Sequence, residues 1–176
     1  MTILGFMLLF LAGCQEPEDP YKDREQNLVS GEIYANDVSF TINDRNQGDI
    51  RESSINGSGV ISGTGIIFSN GALKVSSHHS HTTFRETLDN VQFDAGEFQY
   101  IFDSGDMIFG YYSGCGTYCP NNVCCDLSLQ ISGGTGAYSG AMGGLTAAMT
   151  RDGSVSSQGL AINLSGSIWL PKKNNK

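Results

Sequence analysis

The sequence predicts an all-β fold, a small antiparallel barrel of about eight strands. Between residues 31 and 170, short apolar runs are separated by Gly, Asn, Asp and Ser, at a spacing typical of β-sandwiches and barrels. Several runs alternate apolar and polar residues, which is the pattern of a strand with one buried face. No segment has the period of an amphipathic helix. The length of 176 residues, 23 of them glycine, suits a single domain.

The alternation identifies four strands with clear inward faces. In each of them an apolar residue stands at every second position, mostly with Ser, Thr, Gln or Asn between. One of the four is rich in aromatic residues on its apolar face and mixed on the other. The predicted inward residues are Val38, Phe40 and Ile42; Phe98, Tyr100 and Phe102; Leu127, Leu129 and Ile131; and Leu160, Ile162 and Leu164, with Ile168 and Leu170 continuing the last run.

Turn signals separate these runs. The segment 103–106, which begins and ends with Asp, lies between two aromatic runs and predicts a tight hairpin. Asn70-Gly71, Asp152-Gly153 and Asn56-Gly57 are further turn dipeptides. Turn chemistry accounts for Asp103 and Asp106, whereas a calcium loop would need a denser set of oxygen ligands.

The Gly-rich stretch 133–145 follows a predicted strand. A phosphate-binding loop is one interpretation, but no Lys-Ser/Thr pair closes the stretch and no helix pattern follows it. We therefore predict a sharp corner between two strands, where glycine permits positive φ and close backbone approach.

Part of the same stretch carries a family resemblance. The segment 131–141, Ile-Ser-Gly-Gly-Thr-Gly-Ala-Tyr-Ser-Gly-Ala, resembles the Gly-Gly-Thr-Gly-x-Tyr/Phe-x-x-Ala segment of allene oxide cyclase and dirigent proteins. This resemblance implies an eight-stranded antiparallel barrel with an apolar cavity over residues 31–170. It assigns no catalytic residue here, because the acidic and Arg residues of that family have no counterparts that we can place.

The N-terminus resembles a bacterial lipoprotein precursor. Residues 3–12 form an apolar run too short to span a bilayer as a helix, and it ends in the lipobox pattern Leu11-Ala12-Gly13-Cys14. The resemblance implies that residues 1–13 are a signal peptide and that Cys14 carries lipid chains such as palmitate. It also implies the outer membrane, because Gln15 follows the cysteine. A buried apolar helix is the alternative.

The remaining boundaries follow from composition. Residues 14–30 contain Pro17, Pro20 and dense charges, which predicts a flexible tether between the lipid and the domain. The barrel is then expected over 31–170, followed by a C-terminal tail at 171–176.

The formal net charge of −8 limits the partners. Nucleic acids require a basic surface, so we expect no nucleic-acid partner. Anionic lipid is not expected to hold the protein through charge, and membrane attachment should come from the lipid anchor. The oligomeric state is left open.

Four cysteines remain after Cys14, all within eleven residues, at Cys115, Cys119, Cys124 and Cys125. An exported protein meets an oxidising compartment, so we predict two disulfides. Four cysteines allow three pairings. A direct bond between the neighbours Cys124 and Cys125 would be strained, which disfavours one pairing and leaves the other two open. A zinc site is the alternative, although adjacent cysteines fit a tetrahedron poorly.

The three histidines lie at His78, His79 and His81. We predict a solvated strand end. The less favoured hypothesis is a metal held by His79 and His81, which share a face of a strand. No cofactor is expected.

These observations predict a lipid-anchored cell-envelope protein that binds a small apolar or aromatic ligand, or an envelope partner, without catalysis. A dirigent-like or cyclase-like enzyme is one alternative, and it would need an inward charge from Arg85, Glu86 or Glu97. A structural or adhesive module with a filled barrel is the other. The candidate lining of the cavity is Phe98, Tyr100, Phe102, Ile108, Tyr111 and Trp169.

Overall fold

The fold is described from a computed structural model of the chain. The described residues are 18–44, 49–65, 67–68, 71–86, 90–119, 122–151 and 159–173. Within these ranges, the side chains of 36–44, 49–54, 81–86, 90–91, 94, 118–119, 122–123 and 151 are not described.

Eight antiparallel strands form a closed barrel in which every strand pairs with its sequence neighbours and β1 pairs with β8. This confirms the predicted fold class. The closed order leaves no unpaired strand edge, which is how barrels avoid edge-to-edge association. The strands are β1 (Arg24–Asp44), β2 (Asp49–Thr64), β3 (Leu73–Glu86), β4 (Asn90–Phe102), β5 (Met107–Cys119), β6 (Asn122–Gly134), β7 (Met142–Arg151) and β8 (Leu160–Pro171).

The barrel begins earlier in the chain than predicted. Strand β1 starts at Arg24, which pairs with Pro171 of β8, so residues 24–30 belong to the barrel and not to the tether. Charged residues and a buried Asn27 conceal the alternation of this segment, although Val29 does point inward. Strand β8 ends at Pro171, the first residue of the predicted tail.

The core lies inside the barrel, and the predicted inward faces of three strands are confirmed. Successive residues of β4 and β6 alternate between buried and exposed, and the predicted apolar residues are the buried ones. In β8 the alternation is less sharp, because Leu160 and Leu170 are only partly buried. The side chains of Val38, Phe40 and Ile42 lie outside the described part of the chain. Among the described residues, no helix has the length and apolar character needed to cross a membrane.

The turn predictions have three outcomes. The hairpin at 103–106 is confirmed: the Phe102 amide donates to the Asp106 carbonyl at 2.9 Å, and Gly105 has a φ of +86°. The prediction of a turn at Asn56-Gly57 is wrong, because both residues lie inside β2. Gly57 pairs there with Ala35, next to an irregularity in β1. The predicted turns at Asp152-Gly153 and Asn70-Gly71 are not tested, because residues 152, 153 and 70 lie outside the described residues.

The Gly-rich stretch is a corner between strands, as predicted. Strand β6 ends at Gly134, a single 3-10 turn covers 136–138, and β7 begins at Met142. Three glycines of the stretch have positive φ. The Tyr138 side chain is buried beneath this corner and its ring stacks on Phe102, with ring centroids 4.3 Å apart.

The barrel has two ends. We call the end where β1 begins and β8 finishes the N-terminal end; it also carries the corner after β6 and the hairpin before β5. Phe68, in the connection between β2 and β3, is buried at this end, as is Tyr138. The opposite end is where β5 finishes at Cys119 and β6 begins.

Candidate functional site

The structure separates the six residues predicted to line a cavity. Phe98, Tyr100 and Phe102 of β4 and Ile108 of β5 are all buried in the barrel. Tyr111 is not part of this set, because its side chain is 57% exposed on the outside of β5. The ring of its neighbour Tyr112 is buried instead.

Trp169 also lies apart from the interior residues. Its neighbour Ile168 is fully buried, whereas Trp169 is only partly buried and packs against Tyr21, with ring centroids 4.7 Å apart. Successive side chains of a strand point to opposite faces, so an inward Ile168 places Trp169 outside. The candidate lining is therefore corrected at Tyr111 and Trp169.

Polar side chains occupy the interior beside the aromatic residues. On β3, Ser77 and His79 are 4% and 0% exposed. Ser77 lies directly opposite Tyr100 in the register of β3 and β4. We call Ser77, His79, Tyr100 and Tyr112 the interior polar cluster.

Two hydroxyls of this cluster stand out. Neither the Ser77 Oγ nor the Tyr100 Oη has a hydrogen-bond partner in the part of the chain that the structure describes. A buried hydroxyl without a partner costs about 1–3 kcal/mol, and most buried polar atoms in proteins are paired with protein or water. The two residues are register partners on adjacent strands, so unused hydrogen-bonding capacity is concentrated at this place in the described interior.

Aromatic rings pack against one another within and beside the interior polar cluster. The His79 ring centroid lies 5.4 Å from that of Tyr100 and 5.2 Å from that of Tyr112. Phe98 lies 5.1 Å from Tyr100 by the same measure. These separations are within the range of favourable ring contacts. The cluster therefore combines flat apolar walls with a small number of polar atoms, which is the usual composition of a small-molecule site.

The position of Tyr112 depends on an irregularity in β4. The pairing of β4 with β5 shifts between Phe93 and Gly96, and Ala95 there has a φ of +53°. A Cβ atom at Gly96 would collide with the Tyr112 ring. Glycine at 96 thus leaves the space in which this ring lies.

The electrostatics of the cluster favour uncharged partners. Burial, with a smaller contribution from nearby Tyr112, raises the pKa of the Tyr100 phenol above its usual range. Burial also raises the pKa of Tyr112. Both phenols therefore keep their protons and can donate hydrogen bonds at any physiological pH. Among the described residues, no Lys, Arg, Asp or Glu is buried.

The predicted charged residues for an enzyme do not enter the described interior. Glu97 is exposed on the outer face of β4. The side chains of Arg85 and Glu86 lie outside the described part of the chain, although their backbone belongs to β3.

The histidines do not form a solvated strand end. His79 is fully buried, which corrects that prediction, and His78 is partly buried. The His78 Nδ1–H donates to the Asn56 Oδ1 at 2.5 Å across β3 and β2. The side chain of His81 lies outside the described residues. Within those residues, no group of three or more His, Cys, Asp or Glu side chains has a metal-binding arrangement.

The cysteines lie on the β5–β6 hairpin at the opposite end. No disulfide joins Cys115, Cys124 or Cys125, and the side chain of Cys119 is not described. Cys115 is exposed whereas Cys125 is buried, so these two point to opposite faces and cannot bond in this register. The two predicted disulfides stay a prediction, which thiol alkylation of the denatured protein tests directly.

Sequence reasoning did not place Ser77, His79 or Tyr112 in the interior, although it named His79 as a less favoured metal ligand. Ser77 and His79 alternate with Ser76 and His78, so both faces of this strand are polar and the inward one is not recognisable. Tyr112 adjoins Tyr111, and only the register with the neighbouring strands decides which ring points inward. One signal in the sequence could have found the inward face of this strand. Val75 is apolar and buried, and Ser77 and His79, two and four positions later, lie on the same face of the strand.

No protein-family model matches the chain, and no curated protein matches it. Among solved structures, the chain is similar to the pterocarpan synthase dirigent protein GePTS1. The TM-score is 0.43 at 12% sequence identity, over 92% of this chain and 100% of that chain. A likeness of this strength supports no inference about function. The closed antiparallel barrel of eight strands is itself the architecture that the dirigent-like segment implied.

Proposed function

We propose that this protein is a lipid-anchored component of the bacterial outer membrane whose barrel binds a small, uncharged, apolar or aromatic molecule without chemical change. The observation that carries the proposal is the pair of buried hydroxyls, Ser77 Oγ and Tyr100 Oη, which lack partners among the described residues. The Tyr100 ring packs against His79 and Phe98, and Ser77 is buried opposite Tyr100 in the register of the closed barrel.

The chemistry of the ligand follows from that of the walls. A ligand with one or two hydrogen-bonding oxygens would satisfy Ser77 and Tyr100, while its apolar body packs on Phe98 and the neighbouring rings. A carboxylate or phosphate is disfavoured, because burial that keeps the two phenols protonated also opposes a buried anion. The ligand class is therefore a neutral molecule with an aromatic or aliphatic body.

Native mass spectrometry of the protein extracted from cell envelopes tests this proposal. We expect a co-purified mass that is lost on denaturation and lies in the range of a small organic molecule. Tyr100→Phe and Ser77→Ala should each raise the dissociation constant of this ligand about fivefold to tenfold and lower its occupancy accordingly, since each removes a hydrogen bond of about 1 kcal/mol or slightly more. Tyr111→Phe is the matched control, because that phenol is on the outside.

Two results contradict the proposal. A bare protein that also fails to bind neutral aromatic probes in solution favours the structural module with a filled barrel. A ligand that is chemically altered on incubation favours the enzyme alternative. Thermal unfolding of both variants separates lost binding from lost folding, and loss of an unpaired hydroxyl should not destabilise the free protein.

A further inference from the structure

The N-terminal end of the barrel brings the two ends of the described chain together. The Lys172 amide donates to the Asp23 carbonyl at 3.0 Å, and the Arg24 guanidinium donates to the Gly140 carbonyl at 2.5 Å. The chain just before β1 is thus fixed to β8 and to the corner after β6. Beside it lies the ring pair of Tyr21, which is 37% exposed, and Trp169, with the two ring planes tilted by 46°.

The tether to this end is shorter than the composition suggests. Tyr21, seven residues after Cys14, already packs against Trp169 of β8, and the strand follows at Arg24. An extended chain covers about 3.3–3.6 Å per residue, so Tyr21 lies within about 25 Å of Cys14. A tether reaching to residue 30 would let the domain turn freely, whereas seven residues keep one particular end near the lipid.

We propose that the N-terminal end of the barrel rests against the lipid headgroups, with Tyr21 and Trp169 at the membrane interface. This inference depends on the lipidation of Cys14 in the proposed function. Tyr and Trp are enriched at membrane–water interfaces because each has an apolar ring and a polar atom. The opposite end, with the cysteine hairpin, then faces away from the membrane.

Charge does not drive this contact. Lys22, Arg24 and Lys172 lie at this end, and so do the acidic residues Asp19 and Asp23. The mixture gives no strongly basic surface for anionic lipid. The partner that fits is an ordinary zwitterionic phospholipid surface, approached through the tether and the aromatic pair.

Trp169 is the single tryptophan of the chain, and its fluorescence reports on this end alone. The lipidated protein is purified from membranes, its intact mass is measured, and it is incorporated into phosphatidylcholine vesicles with a nitroxide on the headgroup. We expect the Trp169 emission to fall at least about twofold relative to unlabelled vesicles, as for an interfacial indole. Vesicles should also shield Trp169 from a water-soluble quencher.

A double variant, Trp169→Phe with Thr117→Trp, moves the tryptophan to the opposite end. Thr117 is exposed on β5, ten residues or roughly 33 Å along the strand from Met107 at the N-terminal end. Its emission should change little in the labelled vesicles. Equal quenching of both probes, or no quenching of Trp169, overturns the orientation.

The mass measurement separates the two proposals. If Cys14 carries lipid but Trp169 is not quenched, the orientation alone is wrong. If Cys14 carries no lipid, the anchoring in the proposed function fails and the orientation falls with it. The shielding experiment uses the unaltered protein, so the test stands even where the double variant does not fold.

Discussion

The Tyr100 phenol illustrates how one buried residue connects stability with the proposed ligand binding. Its ring contacts Phe98 and His79, and its hydroxyl has no partner among the described residues. The same burial that makes the hydroxyl costly keeps it protonated. A ligand that accepts its hydrogen bond would remove the cost, so binding should stabilise the fold.

The raised pKa of Tyr100 predicts a loss of stability in alkali. Above pH 10.0, the ordinary pKa of tyrosine, the unfolded chain releases a proton that the folded chain retains. The contribution of Tyr100 to the free energy of unfolding is therefore complete below pH 10. It declines as pH rises, by up to about 1.4 kcal/mol per pH unit. Tyr100→Phe should reduce the slope of unfolding free energy against pH by about that amount. Urea titrations from pH 8 to 11.5, followed by Trp169 fluorescence, measure it; identical slopes would contradict the prediction.

Asn27 shows a buried amide used for structure. It is 1% exposed, and its Oδ1 accepts from the Ile67 amide at 3.4 Å. Its Nδ2 donates to the Ile168 carbonyl at the same distance. The side chain thereby connects β1 to β8 and to the segment that carries Phe68. Unlike the hydroxyls of Ser77 and Tyr100, this buried amide has its partners within the chain.

Among the elements, the corner between β6 and β7 depends on the neighbouring hairpin. The Asp106 Oδ2 accepts from the Ala137 amide at 3.1 Å. The Thr135 amide donates to the Met107 carbonyl at 2.9 Å, and the Met107 amide donates to the Thr135 Oγ1 at 3.1 Å. Gly136 has a φ of +52°, and a Cβ there would collide with the Asp106 carboxylate. The Gly-rich stretch is thus a cap that docks on the 103–106 hairpin.

This docking predicts unequal effects for two aspartates of one turn. Asp106→Ala should lower the free energy of unfolding by about 1–2 kcal/mol, because the Ala137 amide loses a charged hydrogen-bond acceptor. Asp103→Ala is the matched control, since that side chain is exposed, and it should change stability by less than about 0.5 kcal/mol. Chemical denaturation of the three proteins side by side measures the difference. Equal losses would show that the carboxylate does not secure the corner.

For the whole molecule, closure of the barrel does not depend on the proposed attachment to the membrane. The barrel is complete from Arg24 to Pro171 without the N-terminal residues. A variant that cannot be lipidated should therefore fold and lose only its location. Under the proposed attachment through Cys14, no other part of the chain would need to enter the bilayer.

Cys14→Ser should move the protein from the membrane fraction to the soluble fraction of the cell envelope. The reason is that the lipid carried by Cys14 is the proposed membrane anchor, and serine at this position would not be lipidated. Cys115→Ser is the matched control, because Cys115 is exposed on the barrel itself and should leave membrane association unchanged. Fractionation with immunoblotting gives the result, and a Cys14→Ser protein that stays with membranes would rule out the lipoprotein interpretation.

The sequence by itself determined the fold class, several inward faces and the glycine corner. These are local properties: a period of two, a turn tetrapeptide and a cluster of glycines act over a few neighbouring residues. Only the tertiary structure decided which of two adjacent tyrosines points inward, because a shift of one residue in register reverses every side chain. The same holds for Ser77 and His79 inside the barrel and for Gly57 inside β2. Their surroundings come from strands distant in sequence, and no local pattern records those contacts.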